Sequence, residues 1–207
     1  MTSEEWFRNK NWNSRVERTF FDKLRRARRK EQYLRIQAST LAAAHPEVAL
    51  RLLEQYFTLD DKFDHAQAYV DRATAYLAMG NVEGAIQAYE DALAREQEFP
   101  NLQTQANLDL PFLVATRGID HLYERALQIL ANSQSRLAFP VDHFRWHATR
   151  ALILNSRGEQ MDAKLSACEA LAWAGKETSG FRYHPTVGLV GGEYKATESK
   201  LEELCNA

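Results

Sequence analysis

Residues 66–99, AQAYVDRATAYLAMGNVEGAIQAYEDALAREQEF, decide how this chain is expected to fold. Tyr69, Ala73 and Tyr76 fall on one helical face, Gly80-Asn81 marks a turn, and Ala85, Tyr89 and Ala92 fall on a face of the next helix. Small side chains let two antiparallel helices approach closely, while the aromatic rings fill the space toward neighbouring helices. The segment therefore reads as a helical hairpin.

A second copy lies at residues 144–175. Arg150-Ala151 answers Arg72-Ala73, Gly158 answers Gly80, Ala163 answers Ala85, and Ala170-Leu171 answers Ala92-Leu93, all at an offset of 78 residues. One constant offset without a gap is the mark of internal repetition. Residues 33–57 give a weaker copy, with Ala49 in the place of Ala85 and His45-Pro46 at the turn. Residues 105–115 and 119–131 form a fourth hairpin, in which Ile119, Tyr123 and Ala126 follow the second-helix pattern.

An aromatic, a small residue and a Tyr on one helix, then small, aromatic and small residues on the next, over about 34 residues, is the tetratricopeptide repeat pattern. The stretch 66–99 resembles that family, and the likeness extends over most of residues 30–175. The family's final Pro is displaced here to Pro100. The resemblance implies an all-α, right-handed superhelix of antiparallel hairpins, forming a single domain over residues 1–207. Its concave side, lined by first helices, implies a site for a peptide or partner helix. Carried over residue by residue, that surface comprises Leu34, Arg35 and Ala38, then Val70, Asp71, Thr74 and Leu77, then Ala148, Leu152 and Asn155. Members that clamp a terminal carboxylate use a Lys and an Asn where this chain has Val70 and Thr74, so that mode is not expected.

Outside the repeats, Asn13 precedes a stripe of Val16, Phe20, Leu24 and Ala27, predicting an N-terminal basic helix over residues 13–29. No Gly or Pro separates it from Pro46, so one long helix is the alternative to a break near Lys30. Residues 176–192 hold Gly180, Pro185, Gly188, Gly191 and Gly192, and read as an irregular loop. Residues 193–205 follow as a helix whose Tyr194, Leu201 and Leu204 would cap the last hairpin, as the opening helix would cap the first.

Nine Gly and five Pro in 207 residues, with a 45% hydrophobic share, favour packed helices over many short strands. The start carries Glu4 and Glu5 and no apolar run, so no secretory signal is expected, and no stretch suits a membrane span. The two cysteines, Cys168 and Cys205, lack metal-ligand spacing and suit a reducing cytoplasm, though a single disulfide stays open. Cys168 reads as a small buried hydrophobe. Charge is uneven: residues 1–35 hold eleven Lys or Arg against five Asp or Glu, a net +6, leaving −8 for the remainder.

Catalytic chemistry finds little footing. His143 and His147 stand four apart on a helix, but Phe144 occupies the place where a zinc protease needs Glu, so neither metal nor cofactor is expected. Asp60, Asp61, Asp64 and His65 read as capping and solvation before a helix, and the glycines near residue 190 lack the Lys-Ser or Lys-Thr of a phosphate loop. Arg72 and Arg150 hold equivalent places, and an internal carboxylate partner is favoured over an acidic ligand for each. The leading expectation is a cytoplasmic, non-catalytic adaptor for a protein or peptide. The alternative is nucleic-acid binding through Lys23, Arg25, Arg26, Arg28, Arg29 and Lys30, flanked by Trp6, Phe7 and Trp12, whose rings would more readily anchor the N-terminus.

Overall fold

The computed structural model describes residues 5–59 and 64–206. Among them the chain is all-helical, with ten α-helices and no strand. It gathers into two compact units, Met1–Ala106 and Asn107–Ala207.

In the first unit, α1 (Ser14–Arg26) starts where Asn13 accepts hydrogen bonds from the backbone N–H groups of Arg15 and Val16, at 3.0 and 3.1 Å. Ala27 is extended, which ends α1 at Arg26, and α2 (Lys30–Leu41) begins afresh. The break near Lys30 is therefore present. Pro46 opens α3 (Pro46–Phe57) at its first turn, where a missing N–H costs no helical bond. The pattern at residues 66–99 becomes α4 (His65–Ala78) and α5 (Val82–Glu98), packed on each other. Gly80 turns between them at φ +74°, in the left-handed region that favours glycine, and the Asn81 side chain accepts from the Gly84 N–H at 2.9 Å. α2 packs on α3, α3 on α4, and α1 on α2. Their shared core holds Phe20, Leu24, Leu34, Leu41, Leu52, Leu53 and Tyr56.

The second unit runs through α6 (Ala106–Arg117), α7 (Tyr123–Ser133), α8 (Pro140–Ser156), α9 (Gln160–Ala174) and α10 (Lys195–Asn206), with Ala106 itself counted in the first. α8 and α9 repeat the α4–α5 arrangement, with Gly158 at φ +78°. The matched alanines are sealed in both hairpins: Ala73, Ala85 and Ala92, like Ala151, Ala163 and Ala170, have no exposed surface. A larger residue at any of them would force the helix backbones apart. α10 packs on α9 and α8, with Leu201 buried in their shared core.

The fourth expected hairpin differs. α6 and α7 do not lie backbone to backbone as α4 and α5 do. Leu108, Leu130 and Trp146, one each from α6, α7 and α8, form a separate buried cluster, and Trp146 Nε1–H donates to the Leu130 carbonyl at 3.0 Å. Ile119 precedes a single 3-10 turn, Asp120–Leu122, instead of lying inside α7. Among the described residues no helix is long and apolar enough to cross a membrane.

Candidate interaction surfaces

The residues expected to line a concave face divide by burial. Leu34 and Ala38 on α2, Val70 on α4 and Ala148 on α8 are buried, and offer a partner almost no surface. Thr74 and Leu77 on α4, and Leu152 and Asn155 on α8, are half-exposed. Thr74 turns its hydroxyl back to the Val70 carbonyl at 3.1 Å, leaving its methyl group as the outer contact.

The two charged residues of the set are engaged with each other. Arg35 places Nε 3.0 Å from Asp64 Oδ2 and a terminal nitrogen 3.4 Å from Asp71 Oδ2. Asp71 is buried, and desolvation pushes its carboxyl above the ordinary carboxylate range, against the pull of Arg35 and hydrogen bonds from Ser39 and Gln67. Asp64 thus serves as a counter-ion instead of capping α4, for its side chain makes no cap hydrogen bond. Asp60 and Asp61 lie outside the described residues. The second unit contains a parallel pair: Arg145 on α8 meets Asp109 on α6 at 2.5 Å, and burial pushes the Asp109 carboxyl up in the same way.

Arg72 and Arg150 find rings where carboxylates were expected. The Arg72 guanidinium lies 4.4 Å from the centre of the Phe57 ring and 5.6 Å from that of Tyr69, two rings that stack on one another. Arg150 lies 4.9 Å from the centre of the Trp146 ring. Both arginines are half-buried, and an aromatic face accepts a cation there without the desolvation cost of a second charge.

All six basic residues of the alternative site, Lys23, Arg25, Arg26, Arg28, Arg29 and Lys30, are exposed, with Arg25 paired to Asp22. Lys23 also borders a cavity of about 700 Å³ between the N-terminal segment and α1, lined in addition by Arg8, Lys10, Arg15, Trp6 and Phe20. Trp6 and Phe7 pack on Tyr33, and Trp12 on Phe20, so these rings anchor the N-terminal segment. A further anchor leaves no pattern in the sequence. Gln37, wholly buried on α2, accepts from the Asn9 backbone and side-chain N–H groups at 3.0 and 2.8 Å, and donates to the Asn9 carbonyl at 2.8 Å.

No family model, curated protein or solved structure matches the chain. The likeness to tetratricopeptide repeats rests on the residues quoted above.

His143 stacks face to face on Trp173, with centroids 4.0 Å apart, and His147 meets Trp146 edge-on at 4.8 Å. Burial lowers the pKa of both imidazoles. Among the described residues no group of three His, Cys, Asp or Glu is placed to hold a metal ion. Cys168 is half-exposed and joined to Cys205 by a disulfide, with Cα atoms 5.2 Å apart, so it is neither a buried hydrophobe nor a free thiol. Their separation of 37 residues gives no local signal; only the docking of α10 on α9 brings them together.

Proposed function

We propose that the chain is a non-catalytic interaction module of the tetratricopeptide type, which binds a peptide or protein segment on the first helices of its repeated hairpins. The observation that carries this reading is the repetition itself. Positions 78 residues apart hold the same roles in α4–α5 and α8–α9: positive-φ glycines at the turns, sealed alanines between the helices, and arginines over aromatic rings. Thr74 and Leu152 are equivalent by that offset, as are Leu77 and Asn155, and all four are half-exposed. A scaffold that repeats its packing also repeats the outward face that a bound segment reads. The cytoplasm is the compartment this reading assumes.

The test is capture of partners from the source cell by wild-type protein and by Leu77→Asp and Leu152→Asp variants that retain their helical circular dichroism. Loss of the captured partner is expected from at least one variant. Undiminished capture by both would remove the reading.

The basic cavity favours one second reading, contact with nucleic acid through α1. Lys10, Arg15 and Lys23 border the same hollow as the Trp6 ring, where Arg8 is paired with Glu5, so phosphates would meet three cations beside an aromatic surface. Binding of a single-stranded oligonucleotide should then weaken steeply with salt and vanish on reversing the charges of Lys23 to Lys30. A flat salt dependence would dismiss it.

A further inference from the structure

We propose that the Cys168–Cys205 disulfide is a reducible latch, which holds the C-terminal helix on the last hairpin and releases it when a dithiol reductant acts. The bond ties α9 to α10, and its Cα separation of 5.2 Å lies within the range that bridged cysteines adopt. Both cysteines are half-exposed. A hollow of about 330 Å³, lined by Gln160, Met161 and Lys164 of α9 and by Leu204 beside Cys205, shows that the seam between the two helices is not fully closed.

α10 depends on such a tie. It is a 12-residue helix, too short to persist alone in water. Leu201 is its only buried side chain; Leu204 and Cys205 are half-covered. The segment leading into it is irregular from Lys176 and is seated at Gly188, whose carbonyl accepts from the Val141 N–H, and at Tyr194, whose ring packs on Phe112 and Phe144, so release would let α10 swing about its own first turn while staying tethered. Leu201 shares a buried apolar cluster with Phe144, Ala148 and Ala167, so opening would uncover part of that cluster on a helix pair that already exposes Met161 and Leu165. The latch thus sets whether this end of the second unit is capped or sticky.

One thiolate of the dithiol attacks a cystine sulfur, the S–S bond breaks, and the displaced cysteine takes a proton. The second thiolate then resolves the mixed disulfide. Two electrons and two protons pass to Cys168 and Cys205, and the reductant becomes a cyclic disulfide.

Hydrogen exchange of the full-length chain, air-oxidised and after dithiothreitol, tests the proposal. Removing the tie frees a loop of 37 residues, and the amides of α10 should then open more often by about 100-fold, while those of α4 and α5 keep their protection. A Cys205→Ser variant should exchange like the reduced protein and ignore dithiothreitol. Thiol titration should find none free before reduction and two after. Equal α10 exchange in oxidised and reduced wild type would overturn the latch, and so would two free thiols in the air-oxidised chain.

Discussion

Arg35 on α2 and Asp71 on α4 stand 36 residues apart in sequence and 3.4 Å apart in space, and Asp109 on α6 and Arg145 on α8 repeat the same separation in the other unit. Each unit is thus tied across two of its helices by a largely buried arginine–aspartate contact. The order of charges is reversed between them: the arginine comes first in the first unit and the aspartate first in the second. Neither pair follows from the offset of 78, so these ties are particular to each unit, whereas the alanines and glycines are common to both hairpins.

Arg35→Met should cost stability in a pH-dependent way. Without the cation Asp71 keeps only Ser39 and Gln67, and at neutral pH its carboxylate is buried unpaired, a loss of about 2–4 kcal/mol. The sign with pH follows from the direction of the shift. The Asp71 carboxyl already lies above its ordinary 3.8 in the folded chain, so the folded state binds that proton more tightly than the unfolded state does. Its contribution to stability therefore rises as pH falls through the raised value, and levels off below 3.8. Removing Arg35 raises the carboxyl further, so the cost of the substitution should shrink between about pH 7 and about pH 4.5. Urea unfolding of both proteins at the two pH values checks this. A cost that is equal or larger in acid would show that Asp71 is not what Arg35 serves.

What the sequence revealed and what it hid divide by range. Alanines, glycines and aromatics at helical spacing are local signals, and Ala73, Ala85, Gly80 and their partners at 151, 163 and 158 sit as that spacing predicts. A helical period also places Leu34, Arg35 and Asp71 on a first-helix face, but it does not say whether that face meets solvent or a neighbouring helix. Leu34 is core, and the two charges neutralise each other across 36 residues. The rings beneath Arg72 and Arg150 left a usable trace, for Tyr69 and Trp146 precede them by three and four residues, the spacing at which helical neighbours touch. Nothing local announced the Asn9–Gln37 contacts, since a buried glutamine is recognisable only once its partner is in place.

If the ring contacts of Arg72 have energetic weight, a double-mutant cycle between Arg72→Gln and Phe57→Leu should return a coupling of about 0.5–1 kcal/mol. Gln retains part of the stem and loses the charge, so the cycle isolates the cation over the ring. Arg72→Lys should keep part of the coupling, because an ammonium lacks the planar group that stacks on an aromatic face. Additive effects of the two substitutions, measured by denaturant midpoint, would reduce the contact to packing.

Two glycines with nearly the same backbone conformation should respond differently to alanine. Gly158 and Gly188 have φ values of +78° and +70°, and both substitutions incur the cost of placing a Cβ in the left-handed region, about 1 kcal/mol. At Gly158 an added Cβ meets nothing within 4 Å, so that cost is the whole effect. At Gly188 it would sit 2.5 Å from Cβ and Cγ of Phe139, atoms close to the backbone that cannot swing aside. Phe139 packs on Phe181, and the Gly188 carbonyl accepts from the Val141 N–H at 2.8 Å, so yielding there also disturbs the first turn of α8. Gly188→Ala should therefore cost about 2–3 kcal/mol in total and raise hydrogen exchange at Val141. Equal losses at the two sites would mean that the segment after α9 moves away freely, and that its seat against Phe139 contributes nothing to holding it.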